Sequence, residues 1–401
     1  MKKNMTLFFC SDLISGFTIS IFLISLNWVI LQETESALQV SYLMLLNACA
    51  GFIISLVGGI IVDRYERKKI LYASYFVSAI FLSLIVMLIH WFGIQVMYLY
   101  LCSIMNGALW SIYLLTSKSF LQELLNESDI AKGMSFIEIS LQMGTILAAL
   151  FAGILLKYLS ISKILILNVV AFLICGLLIE KIEYIPKVST NRRKKSGISH
   201  FLKKYEYGAE RKTNFIMGVM SVIPLTAAAV FSTISPVFVY ETLKADSIIY
   251  GFSDMLYGIG AISVGFLVAR VSKKSDGHIW MIMSIIIAMV IYMPLVRVNS
   301  TLLFLGGCFV FGNANTYIKV VFNIRIMRCI PSENMGRFLS MVTAVSLALQ
   351  SIGVWITGYL MDIKGGKYGF FVLSTVMLVG LIFYFYDRKT HLGLKLSKEE
   401  M

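Results

Sequence analysis

The chain has 401 residues, a formal charge of +13, and 58% hydrophobic against 14% charged residues. Soluble domains run nearer half apolar and a quarter charged, whereas here the apolar excess falls in runs of about 20 residues, the length that crosses a hydrocarbon core as a helix. A soluble protein is excluded, and so is a nucleic-acid partner for the positive charge, because the bases sit between the apolar runs.

Twelve spans are predicted, at about 6–31, 38–62, 70–90, 94–117, 132–157, 161–180, 214–240, 247–270, 279–297, 300–324, 335–361 and 367–386. The first is too long for a cleaved signal peptide, and no small-residue cleavage site follows it. It carries Asp12 near its inner end and Asn27 with Trp28 in its outer part. The second closes on "GGIIVDRYERKK", Gly58 to Lys69, with six charges in the seven residues from Asp63 to Lys69. That knot reads either as a solvated loop with basic anchors or as a gate. Only "HWFG" separates the third and fourth spans. The fourth carries Asn106, Trp110 and Tyr113 at i, i+4 and i+7. The fifth holds Glu138 two turns in, and Gly144, Ala148 and Ala152 form a small-residue packing face.

A long polar segment over 181–213 follows the sixth span and is read as a cytoplasmic linker between halves 1–180 and 214–386. Its bases can also touch anionic lipid, and "ISHFLKKYEYG" is predicted as a short interfacial helix. Pro224 and Pro236 are expected to kink the seventh span. Asp254 lies about a third of the way down the eighth from its outer end. The tenth repeats the Asn-aromatic spacing with Asn313 and Tyr317 and carries Lys319 in its inner half. A cytoplasmic tail, 387–401, ends the chain.

Lysine and arginine set the orientation. With Lys2 and Lys3 inside, the inner segments hold Arg64, Arg67, Lys68, Lys69, the whole linker cluster, Arg270, Arg325, Arg328 and Arg337. The outer loops hold only Lys157, Lys163, Lys244, Arg297, Lys364 and Lys367. Both termini are therefore expected in the cytoplasm.

Ionisable residues at membrane depth are costly and mark function by default. Asp254 has the least access to an interface and no base nearby in sequence, so it leads the candidates for proton coupling or cargo binding. The neutral acid is favoured there while water is excluded. Other readings stay open for the rest. Asp12 could reach cytoplasmic water, Glu138 could pair with a loop base such as Arg337, and Lys319 could snorkel toward the cytoplasm. Asn106, Trp110, Tyr113, Asn313 and Tyr317 could line a cavity or simply pack helices and anchor them at the interface. An aromatic, methionine-rich cavity would suit a bulky amphipathic cargo. The six cysteines are scattered, the four histidines are dispersed, and there is no GxxxxGK[ST] loop. No metal, no cofactor and no direct use of ATP are expected.

Half-chain echoes point to an internal repeat. "GIIVDR" (Gly59 to Arg64) closes the second span and "GFLVAR" (Gly265 to Arg270) the eighth. "CSIMNGALW" is echoed by "CFVFGNANTY", and Gly133 with Gly153 by Gly336 with Gly358. Parallel repeats of this kind mark two-lobed transporters.

The pattern resembles the major facilitator superfamily, whose loop after the second span reads G-x-L-a-D-R-x-G-R-K. Gly59, Ile61, Val62, Asp63, Arg64, Arg67 and Lys68 occupy matching positions, and Glu66 departs from the second glycine. Pro331, Gly336 and Arg337 match the loop before the eleventh span. "VDRYERKKIL" is similar to the branch of macrolide-efflux proteins and exporters of siderophores and peptide antibiotics. The resemblance implies an all-α membrane fold of twelve helices in two pseudo-symmetric six-helix halves. It also implies that Asp63 faces the start of the eleventh helix, where unpaired N–H groups and the helix dipole favour a carboxylate. Arg64 and Arg67 could pair with Glu66 or Asp63. At the equivalent position of the second half stands Ala269, and the fifth span lacks the Gly-Pro pair common in antiporters of the family.

The expected protein is a monomeric secondary transporter of the plasma membrane, taking a small-molecule substrate and protons. The first reading is efflux of a hydrophobic or amphipathic compound in exchange for protons. The alternatives are a dedicated exporter of a self-made siderophore or peptide antibiotic, an importer, a transporter-like sensor, and a membrane-embedded enzyme. The last would need a histidine–carboxylate cluster on facing helices, and no histidine lies deep in a span.

Overall fold

A computed structural model describes residues 2–125, 130–183, 210–271, 277–297, 299–329 and 332–399. The predicted interfacial helix in the linker lies outside the described residues, as do the side chains of Asp63, Arg64, Glu138 and Arg337 and the surroundings of Gly59 and Gly336.

Every element among the described residues is helical. The first six are α1 (Lys2–Thr34), α2 (Ala37–Arg64), α3 (Arg67–Phe92), α4 (Val96–Leu124), α5 (Ile130–Tyr158) and α6 (Ile161–Glu180). The second six are α7 (Glu210–Val237), α8 (Ser247–Val271), α9 (Gly277–Val290), α10 (Thr301–Cys329), α11 (Ser332–Lys364) and α12 (Gly369–Glu399). A bilayer offers no water to free backbone groups, so helices that satisfy their own N–H and C=O groups are the form that can cross. Ten of these helices are long and apolar enough to do so over their described residues.

Two spans depart from a simple rod, each at proline. Pro236 cannot donate to the turn before it, and α7 passes directly into a π-helical turn, Phe238–Thr242. The ninth span is helical only to Val290, then continues as a 3-10 turn, Met293–Val296, with Pro294 near its start. The sequence pattern reads it as one run because proline leaves hydropathy unchanged.

Helix pairing is the same in both halves. In the first, α2 packs on α4, α1 on α5 and α6, and α3 on α6 and α4; in the second, α8 packs on α10, α7 on α11 and α12, and α9 on α12 and α10. The halves meet along α5–α8 and α2–α11. Helix α3 shows how each element serves two solvents. Leu71, Tyr75, Ala79, Leu82, Ile85 and Ile89 are buried, while Val77, Ile80, Leu84 and Met87 are exposed. Both stripes are apolar, as a helix between core and lipid requires. Gly144, Ala148 and Ala152 do form a packing face. A Cβ on Gly144 would lie 2.8 Å from the Phe17 backbone, and the two alanines are fully buried against α1.

The helix ends fall on two rims. The near rim carries the start of α1 and the end of α12. The far rim carries the α1–α2, α5–α6, α7–α8 and α11–α12 turns.

Candidate functional site

Asp12 is buried in the first half, at 2% exposure. The Tyr113 hydroxyl of α4 donates to its Oδ1. One turn back, Trp110 stacks on Tyr113 with ring centroids 5.8 Å apart and 26° between planes. Ser11 donates to the Cys175 carbonyl at 3.3 Å, tying α1 to α6 beside the same site. Tyr75, fully buried on α3, is in electrostatic contact with Asp12 and stacks on Phe172. The expectation that Asp12 could reach water is therefore corrected: the helix it belongs to is packed by α4, α5 and α6, which cover its side chain.

Asp254 sits half-buried on α8, four residues after Tyr250 and three before Tyr257, which puts all three on one helix face. Tyr250 is buried and stacks on Trp28 of α1 with centroids 5.5 Å apart and 15° between planes. Its hydroxyl lies within electrostatic reach of both the Asp254 carboxyl and the Asn27 side chain. Asn27 and Trp28 thus reach from the first half onto the acid-bearing face of the second. Asn315 of α10 donates to the Tyr257 hydroxyl at 3.1 Å and to the Pro224 carbonyl at 3.0 Å. Phe231 stacks on Tyr257 and on Tyr292, which extends an aromatic cluster from the Tyr257 side of that face. Among the described residues no base pairs with Asp254.

The other candidates scatter around these two acids. Asn313 donates to Ser263 Oγ at 2.7 Å and so ties α10 to α8 as a packing bond. Tyr317 and Asn106 are buried, and Lys319 is exposed. Sequence reasoning missed Tyr250, Tyr257 and Asn315. The first two were legible at i−4 and i+3 from Asp254 in "YGFSDMLYG", but only α10's rotation brings in Asn315.

At the near rim, Arg67 pairs with Glu123 of α4, while Glu66 pairs with Lys69 at 3.1 Å. Lys68 donates to the Ile182 carbonyl at 2.8 Å. The suggested pairing of Arg67 with Glu66 is corrected, and the pairings that involve Asp63 or Arg64 lie outside the described residues. Arg67 opens α3 and points across to α4, the helix α3 packs on.

At the far rim the halves are joined at two corners. In one, Lys157 at the end of α5 meets Asp246 before α8 at 2.7 Å, and Ser247 Oγ donates to the Gly153 carbonyl at 2.8 Å. The Lys157 ammonium holds the Asp246 carboxyl below the usual range. In the other, Asp362 near the end of α11 accepts from the start of α2. Close glycine contacts back both corners. A Cβ on Gly153 would lie 2.5 Å from the Ser247 carbonyl, and one on Gly358 would lie 2.0 Å from Ser41 Oγ. A cleft of about 350 Å³ opens beside the first corner, lined in part by Trp28, Gln32, Tyr240 and Lys244.

Two six-helix halves with one pairing scheme, joined at a rim over intramembrane acids, form a transporter's frame. The family model of the Major Facilitator Superfamily matches residues 8–347 and 220–400. The chain belongs to this superfamily. It is a multi-pass membrane transporter rather than an enzyme. A Bacillus subtilis (strain 168) relative, the uncharacterized MFS-type transporter YvqJ, is 21% identical over 84% of this chain and 80% of its own length. The Staphyloferrin A transporter of Staphylococcus aureus (strain NCTC 8325 / PS 47) is 19% identical over 94% of each chain. Among solved structures, the bacterial homologue of the human lysosomal transporter Spinster, inward-facing and occupied, superposes with a TM-score of 0.76 at 10% identity over 97% of both chains. The D-xylose-proton symporter gives 0.72 at 15% identity, over 95% of this chain and 96% of that one.

Proposed function

We propose that this transporter is a proton-coupled exporter of a hydrophobic or amphipathic compound, working by alternating access in the plasma membrane with both termini in the cytoplasm. On that orientation the far rim is the outer one. The observation that carries the reading is Asp254: a carboxyl within a span, without a base among the described residues, one helical turn from a tyrosine that stacks on the other half.

The coupling follows from that geometry. An ionised carboxyl without a counter-charge is costly away from water. Its proton is held while the halves enclose it and released when their separation admits water. Tyr250 links the two events, because its ring leans on Trp28 of the first half and the acid stands one turn away on the same helix face, within electrostatic reach of its hydroxyl. A cationic or donor-bearing cargo would compete with the proton for the same carboxyl. Asp12, bonded to Tyr113, is the second acid available in the first half. A dedicated siderophore exporter is the second reading, favoured by the full-length likeness to the Staphyloferrin A transporter.

Asp254→Asn tests the first reading. It mimics the protonated acid with little change of shape. In proteoliposomes under an imposed pH gradient, efflux should fall by about tenfold or more, while cargo counterflow persists. Full gradient-driven flux in the variant would move the coupling role to Glu138 or Asp12. A panel of macrolides, dyes and siderophores in everted vesicles separates the two cargo readings.

A further inference from the structure

Asp362 breaks a local rule. It stands in the last turn of α11, where the helix's own C-terminal carbonyls repel a carboxylate and bases are favoured. The reason lies 325 residues away in the other half. Asp362 Oδ1 accepts from the backbone N–H of Ala37 at 2.6 Å and of Leu38 at 3.3 Å, and Oδ2 accepts from the Ser36 hydroxyl at 2.7 Å. These groups are the first turn of α2, which begins at Ala37. A helix leaves its first N–H groups without partners of its own. Here Ser36 takes the third, from Gln39 at 3.3 Å, and Asp362 takes the first two. The cap of a helix in one half is thus completed by an acid from the other.

Two further observations make this contact more than a surface bond. Ala37 is fully buried while Asp362 is exposed, so the carboxylate stands between that N–H and solvent while the rim is shut. Below it, Val354, Gly358 and Asp362 fall at four-residue intervals on one face of α11. Ser41 Oγ donates to the Val354 carbonyl at 2.9 Å, and Gly358 lets the backbones approach. The acid is the outermost rung of a seam along which α2 and α11 close.

We propose that Asp362 is a positioning residue of the transport cycle: an inter-half helix cap that holds the far rim shut and must be broken for that rim to open. The proposal rests on the alternating-access reading above. Helices α2 and α11 run antiparallel, so each ends where the other begins. Asp63 stands near the end of α2, on the rim from which α11 sets out, and Asp362 near the end of α11, on the rim from which α2 sets out. With the latch expected of Asp63 at the near rim, one acid is docked on the opposing helix start in each state, and the exchange tracks which side is open.

The experiment reads rim geometry without cargo or protons. Spin labels are placed at Glu33→Cys and Lys364→Cys in the full chain, lacking other reactive cysteines, in nanodiscs. Double electron–electron resonance then gives the distribution of distances across the rim. Asp362→Ala should raise the rim-open to rim-closed ratio about fivefold, the effect of losing one good cap. Asp362→Glu, which can still reach the N–H groups, should restore the closed population, a rescue that a merely structural loss would not show. If the alanine variant fails to insert, Ser36→Ala removes the hydroxyl bond to Asp362 together with the Gln39 cap and should shift the distribution in the same direction at smaller amplitude. An unchanged distribution in the alanine variant, or in Ser36→Ala where that one must serve, overturns the cap. The two readings fail separately. A distance shift without gradient-driven flux for any cargo leaves the cap standing and sinks proton-coupled export. Gradient-driven flux with unmoved distances does the reverse.

Discussion

The two corners of the far rim are built alike and charged oppositely. At each, a glycine on the arriving helix lies against the start of the departing one, Gly153 on Ser247 and Gly358 on Ser41. At each, a serine hydroxyl donates to a main-chain carbonyl of the arriving helix. At each, a charged residue four positions after the glycine ends the contact, Lys157 at one corner and Asp362 at the other. The turns agree too: among the described residues, Glu35 before α2 and Lys244 before α8 are the non-glycine residues with positive φ, 49° and 51°. What differs is the partner. Lys157 meets a side chain, and both members of that pair are over 40% exposed. Asp362 meets backbone N–H groups, one of them buried. Backbone fit does the closing at both corners; charge adds a bond of ordinary surface strength at one and satisfies a buried donor at the other.

The largest effect should come from breaking the shared feature. At Gly153 a Cβ meets main chain at three points, the Ser247 carbonyl at 2.5 Å and the Gly251 and Ile248 Cα atoms at 3.1 Å. At Gly358 a Cβ meets the Ser41 hydroxyl at 2.0 Å, the Ser41 Cβ at 2.8 Å and the Ala37 carbonyl at 2.9 Å. Gly153→Ala and Gly358→Ala should therefore each cost about 1–3 kcal/mol of rim closure. Rim distances with the transport rate measure both, and a distribution that either variant leaves unchanged would show that its corner does not close on backbone approach.

Next comes the ion pair. A double-mutant cycle of Lys157→Ala and Asp246→Ala should return a coupling of about 0.2–1 kcal/mol, the range of exposed pairs, shrinking as salt rises. A coupling that ignores salt would make the two corners alike in kind. The Asp362 contact should lose less with salt, since its bonds are at hydrogen-bond range to fixed donors.

The smallest effect concerns pH. Lys157 lowers the Asp246 pKa, so the pair's contribution is complete above the ordinary carboxylate value of about 3.9. It is lost only as pH falls through the depressed one. Rim distances in an Asp254→Asn background should therefore stay constant from about pH 5 to 8, which removes the coupling acid from the titration. A pH-dependent rim in that background would point to another titrating group at the corners.

The spans, their number and the existence of two like halves were legible in the chain itself. Length and hydropathy decide what crosses a bilayer, and a repeat survives as echoes such as those of Gly153 and Gly358. The presence of Asp12 and Asp254 in apolar runs was equally legible, because a charge there needs no alignment to be noticed, but the burial of Asp12 was not. Their partners were not. Asp12 finds Tyr113 on α4, Arg67 finds Glu123, Asp254 shares Tyr250 with Asn27, and Asp362 caps α2 from the far end of the sequence. Periodicity relates residues three or four apart on one helix. In a soluble protein the apolar stripe would also say which way each helix turns. Here lipid and core are both apolar, so neither stripe of α3 says which side faces inward. Only the packing of the helices, set by small residues and close backbone approach, decided which side chains meet.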